Sequence, residues 1–306
     1  MSTEGGMKAV LAALVANLGI AVSKFVAFAF TGSASMLSEA IHSVADSGNQ
    51  VLLLIGNKRA KQKADDKHNF GYGRRRYVYG FIVAIVLFLI GGVFSLYEGV
   101  HKIQHPDDVK DAWIAFVVLG VAIVLEGWSF RTAIKEANHS RGRRSLPAFV
   151  RAVRQPELPV ILLEDFGALL GLVFALFGVS MAVVTDDGRW DGIGALSVGT
   201  LLLIIAVFLA LEMAANLVGE SALPEDVAAI RLALESSEGV ERVIHLRTLH
   251  VGPDELLVAA KIAIMHNDTG AEIAADINNA EAAIRAAVPS ARYIFLEPDL
   301  DRGVTA

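Results

Sequence analysis

Glu39, His42, Asp46 and Asn49 stand at i, i+3, i+7 and i+10 within a stretch whose other residues are mostly small or apolar. On a helix that spacing places all four on one face. His42 and Asp46 are one turn apart, so an imidazole and a carboxylate can grip a single ion. Further along, Glu164 and Asp165 follow Ile161, Leu162 and Leu163. Asn17, Lys24, Glu98, Glu126 and Glu212 sit singly inside other apolar runs. There is no cysteine, which excludes a disulfide scaffold, a thiolate metal site and a cysteine nucleophile. Imidazole with carboxylates and no thiolate suits a borderline divalent metal such as Zn²⁺, and also Mn²⁺ or Fe²⁺. Only deprotonated ligands bind metal, so metal entry releases protons. A histidine with an ordinary pKa of about 6.5 makes that exchange usable near neutral pH. The chemistry predicts a site that trades a metal ion for protons.

These groups are informative because of what surrounds them. Of 306 residues, 54% are hydrophobic and 20% charged, and the mean hydropathy is +0.51. That composition excludes disorder and an ordinary soluble enzyme. The apolar residues fall into six blocks, at about 7–30, 34–56, 77–103, 111–134, 158–184 and 190–218, each long enough to span a bilayer. An ionisable group there costs about 2.5–3.5 kcal/mol on insertion scales, so each is a functional candidate. Glu98 and Glu212 lie near block ends, where a structural or solvent-reaching role is the simpler reading. Glu39, one turn toward the outer end from His42, either lines an entry path or caps it. Lys24 is a ready neutraliser for any of these acids.

Basic residues set the orientation. Lys58, Arg59, Lys61, Lys63, Lys67, Arg74, Arg75 and Arg76 connect the second and third blocks. Arg131, Lys135, Arg141, Arg143, Arg144, Arg151 and Arg154 connect the fourth and fifth. The other connections hold Lys102, Lys110 and Arg189. The excess places both termini and the two basic loops in the cytoplasm. His139 and its neighbouring arginines are read as topology determinants beside anionic lipid headgroups. The start of the chain is not read as a signal peptide: a single Lys8 precedes a long block with no clear cleavage site. With 27 Lys and Arg against 33 Asp and Glu, no basic field points to nucleic acid.

After Gly219 the pattern changes, so we expect two domains, a six-helix membrane domain over 1–218 and a small α+β domain over 219–306. Pro224 with Glu225 and Asp226 starts a helix to about Ser237. Residues 240–251 and 255–265 read as strands joined at Gly252-Pro253-Asp254. Thr269 and Glu272 form a capping-box pattern for a second helix, which Pro289 stops. A last strand over 291–296 completes an αββαβ order.

With these residues in place the sequence resembles the cation diffusion facilitator family of divalent metal/proton antiporters, and within it the branch that includes a mitochondrial zinc exporter. The run from Thr31 to Asp46, with HxxxD at His42 and Asp46, is similar to the family signature. Asn49-Gln50, Phe70-Gly71-Tyr72-Gly73 before a basic run, the six helices, and a tail carrying Leu246-Arg247-Thr248 before Gly252-Pro253 extend the likeness over nearly the whole chain. The resemblance implies a homodimeric inner-membrane exporter with a metallochaperone-like tail. It implies His42, Asp46 and Asp165 as metal ligands, Asp165 and Gly171 aligning with the family's second motif. The position of the first ligand in that motif falls on Ile161, which cannot bind metal. Glu164 is then the candidate fourth ligand, with water, Asn49 or another carboxylate as alternatives. In the basic loop Asp65 and His68 match an accessory metal site, with Tyr72 where a histidine is usual. In the tail, aligned ligand positions fall on Ile244, Ala260, Phe295 and Glu297. His245, His250 and His266 are therefore read as ordinary histidines, and the tail as a dimerisation domain. The expected cargo is Zn²⁺, with Mn²⁺, Fe²⁺, Co²⁺ or Cd²⁺ as family alternatives, exchanged for protons. A metal sensor or assembly scaffold that moves no ion is the rival reading. An intramembrane hydrolase has no HExxH or GxSxG to support it.

Overall fold

The computed structural model describes residues 3–142, 144–265 and 269–300. His266 and Arg143 lie outside them. The chain divides into two compact units, Met1–Lys58 with Tyr77–Ala214, and Arg59–Arg76 with Ala215–Ala306. The basic loop 59–76 therefore belongs to the same unit as the tail.

The first unit is helical. Its elements are α1 (Thr3–Thr31), α2 (Ala34–Ala60), α3 (Arg75–Val86), α4 (Phe94–Gln104), α5 (Ala112–Ser140), α6 (Leu146–Ala152), α7 (Glu157–Thr185) and α8 (Arg189–Val218). A π-helical stretch, Leu87–Val93, joins α3 to α4 as one continuous rod. Among the described residues four helices are long and apolar enough to cross a membrane: Arg75–Gln104, Ala112–His139, Glu157–Thr185 and Arg189–Val218. Among the described residues α1 adds the shorter apolar stretch Asn17–Thr31. α2 has 27 residues, about 40 Å at 1.5 Å per residue, but its polar face keeps it out of that set. Length and composition thus support four of the six expected spans.

The turn between α1 and α2 is tight because Gly32 adopts φ +62°, a conformation costly for other residues. The first backbone amides of α2 lack helical acceptors and turn to Asp191 of α8. Its carboxylate accepts from Ala34 N at 2.6 Å, Ser35 N at 3.2 Å and Ser33 Oγ at 2.7 Å. A buried acid is well placed there, at the positive end of the helix dipole.

α7 joins three apolar clusters. Val160 packs with Leu53, Val83, Leu87, Leu202 and Leu209. Leu172, Ala175 and Val179 pack with Ala27, Met36 and Leu119. Leu162 packs with Ala133, Ala137 and Phe149. Against α4, α8 approaches at backbone distance: a Cβ at Gly99 would lie 2.7 Å from Leu196 N and 2.8 Å from Gly192 O. Such small-residue seams let helix backbones meet in lipid. Outward faces carry Trp113, Trp128, Val184 and Leu211, all exposed, a surface that suits hydrocarbon rather than water.

In the second unit α9 (Pro224–Glu235), β1 (Val240–Gly252), β2 (Glu255–Ile264), α10 (Gly270–Ala287) and β3 (Ala291–Asp299) follow the expected αββαβ order. β1 pairs antiparallel with β2, and β2 parallel with β3. Thr269 and Glu272 form the reciprocal capping box at the start of α10. Ile230 and Leu234 of α9, Ala280 and Ile284 of α10, and Leu256, Val258 and Ile262 of β2 fill one core.

Candidate functional site

The polar stripe of α2 faces inward. Glu39, His42 and Asn49 are buried, and Asp46 is partly so. His42 Nε2 lies 3.4 Å from Asp46 Oδ2. Beyond that approach neither ring nitrogen of His42 has a hydrogen-bond partner, and Asp46 Oδ1 has none. Buried polar atoms are normally satisfied, and these unpartnered ligand-type atoms on α2 make this face the candidate site. Gly91, in the π-helical stretch, lies near the ring: a Cβ there would stand 3.9 Å from His42 Nδ1. π-Helical turns concentrate at functional sites. Periodicity did not reveal this one, although Gly91-Gly92 inside an apolar run was its one sequence signal.

α7 completes the constellation unevenly. Glu164 is buried and accepts from Asn49 Nδ2 at 2.7 Å, so it faces the α2 stripe. Asp165, one residue on and about 100° round the helix, instead accepts from Ser129 Oγ of α5 at 2.9 Å. Ile161 is 37% exposed and points away from the bundle interior. The two adjacent carboxylates are thus divided between two neighbours. Asp46 also feels the charges of Glu164, Glu126 and Glu39. Among the described residues no three His, Asp or Glu side chains converge closely enough to cage an ion. The structure brings His42 to Asp46, and Asn49 to Glu164, and leaves Asp165 with Ser129.

Lys24 resolves the choice left open by the sequence. Its ammonium meets Glu39 Oε2 at 2.9 Å and Ser43 Oγ at 2.8 Å, with both charged side chains fully buried. Sequence reasoning missed Asp191 as the cap of α2, because nothing local to residue 191 shows which helix it will meet.

The loop pair lies in the second unit. His68 Nδ1 is 3.5 Å from Asp65 Oδ1, and Tyr72 Oη donates to Asp65 Oδ2 at 2.7 Å. Backbone amides of Lys67 and His68 donate to Oδ1 at 3.1 and 2.7 Å. Led by the tyrosine bond, these donors hold the Asp65 carboxyl below its usual range, and the same bond pushes the Tyr72 phenol up. In the tail, Ala260 is buried and Phe295 is exposed. Glu297 is engaged by Lys261 at 3.0 Å.

The profile of the cation efflux transmembrane domain family matches residues 10–218. The mitochondrial proton-coupled zinc antiporter SLC30A9 of Mus musculus is 33% identical over 261 residues, 85% of this chain and 46% of that one. Metal tolerance protein C4 of Arabidopsis thaliana is 25% identical over 264 residues, 86% of this chain and 58% of that one. The chain spans about half the length of these curated relatives. A nickel form of the MamM C-terminal domain, 20% identical, aligns with 26% of this chain and 100% of its own at a TM-score of 0.25.

Proposed function

Because the chain belongs to the cation efflux family and is an integral multi-pass membrane protein, we propose that it exports a divalent metal ion, zinc first, in exchange for protons. The observation that carries this reading is His42, buried with both ring nitrogens free of hydrogen bonds and one turn from Asp46, on the helix face whose Asn49 donates to Glu164 of α7. A neutral imidazole binds metal and a protonated one cannot, so loading with metal and loading with protons exclude each other. His42, Asp46 and Glu164 hold the ion, and Asp165 joins when α7 turns relative to α5. Exposing such a site to either side in turn is how a transporter moves cargo without making or breaking a bond. The oxygen-rich set also admits Mn²⁺ or Fe²⁺. The protein works as a homodimer in a bacterial inner membrane, with six spans and both termini in the cytoplasm.

Reconstituted vesicles test the proposal, with a panel of divalent ions and a pH dye inside. Zinc flux with counter-movement of protons is expected. His42→Ala and Asp46→Ala abolish the flux while the protein remains folded, because each removes a ligand rather than a packing group. Near-normal zinc flux in both variants overturns the site, and flux without proton movement at any pH overturns the exchange. A sensor that moves no ion is the rival reading, supported by Ile161 where a ligand is expected, and wild-type vesicles without flux would overturn export in its favour.

A further inference from the structure

A lysine has no place among metal ligands, yet Lys24 is fully buried beside the candidate ones. Its ammonium bridges Glu39 and Ser43 at 2.9 and 2.8 Å, the residues one turn before His42 and directly after it. Its charge reaches His42, Asp46 and Glu126. Glu39 keeps its second oxygen, Oε1, without a hydrogen-bond partner. That oxygen points at α7 where Gly171 leaves space: a Cβ there would come within 2.6 Å of it. α1 thus supplies a cation, α2 an acid held by one oxygen only, and α7 a gap for the other.

In a low-dielectric interior a fixed positive charge opposes the arrival of two more, and an unneutralised carboxylate invites them. We propose that Lys24 sets the affinity of the ion site: its ammonium, tethered to Glu39, is a built-in cation that holds down the affinity for divalent metal so that a bound ion can leave. The inference rests on the reading that the α2–α7 site binds metal. A pair that only neutralised itself for folding would leave zinc affinity unmoved when both partners are removed singly, or would lower it in both cases. A tethered cation instead moves affinity in opposite directions.

The test is zinc titration against a fluorescent chelator, with the full chain in lipid nanodiscs at fixed pH and salt. Lys24→Met binds zinc at least about fivefold tighter than wild type, because Glu39 is left as a free anion beside the site. Glu39→Gln binds at least about fivefold weaker, because the ammonium is left unneutralised. The double variant, which leaves no buried unpaired charge, returns to within about threefold of wild type. If Lys24→Met does not fold, Lys24→Gln, which can still hydrogen-bond Glu39, carries the same expectation. Lys24 variants less than fivefold tighter, or two single variants that shift in one direction, overturn the inference. Wild type that binds zinc, with His42→Ala that does not, keeps the ion site standing in that event. Wild type that binds no zinc overturns the ion site and this inference with it.

Discussion

Asp65 is held by a hydroxyl and by backbone amides of its own loop: Tyr72, Lys67 and His68 donate to its carboxylate. Its folded pKa is lowered. The network therefore stabilises the loop above the ordinary titration point of about 3.9, and that contribution is lost as pH falls through the folded value. Tyr72→Phe removes the leading cause, and the Asp65 carboxyl should titrate higher, back toward the usual range. Carbon NMR of the labelled carboxyl checks this; a titration that does not move means the bond is absent. Glu164 is the second residue whose chemistry is separable from its shape. Glu164→Gln keeps the size and the contact with Asn49 but removes the charge. Zinc affinity should fall by at least the roughly tenfold that even an outer-shell partner is worth. Unchanged affinity by titration would assign the place of Glu164 to water or Asn49.

Between elements, the tolerance of the helices depends on where backbone meets backbone. At Gly99 an added methyl meets Leu196 N and Gly192 O, atoms of α8 that cannot swing aside. Gly99→Ala should therefore push α4 from α8 and destabilise by about 1–3 kcal/mol, the usual range for overpacking. Gly120, on α5, has nothing within 4 Å of the same methyl, and Gly120→Ala is the control that should lose nothing. Thermal unfolding in detergent compares the two, and equal midpoints would contradict the close seam. The same logic explains α2. It carries the candidate ligands at the cost of polar residues, and it is held at its start by Asp191 and along its length by Lys24 and Glu164. Partners on other helices make such an element tolerable in a membrane.

At the scale of the molecule the chain has two cores of different kinds. The tail core is built from α9, α10 and the three strands; of the aligned ligand positions, Ala260 is buried in that core and Glu297 is bound to Lys261. The fragment 219–306 should fold without added zinc. Circular dichroism with and without a chelator measures this, and loss of structure on chelation would refute it. The full second unit adds the loop 59–76, where Arg76 meets Asp254 at 2.7 Å and the Phe70 ring meets Tyr293 edge-on at 5.1 Å. The fragment lacks those contacts but keeps the core, so the loop should add to stability without being required for folding.

Much of this protein is written locally. The Thr269 capping box, the hairpin at Gly252-Pro253-Asp254 and the αββαβ order depend on short-range rules of period, capping and turn chemistry, so the sequence alone determined them. It also determined that His42 and Asp46 share a helix face, because four residues are one turn. What it could not determine is which side chain meets which across helices. Glu164 and Asp165 are neighbours in sequence with the same chemistry, yet one faces α2 and the other α5; only the rotation of α7 in its three-sided packing decides that. The π-helical turn over His42 and the attachment of loop 59–76 to the tail unit are likewise tertiary. So is the choice of Glu39 for Lys24: several acids lay within plausible reach, and the packing of α1 on α2 set two charges 2.9 Å apart.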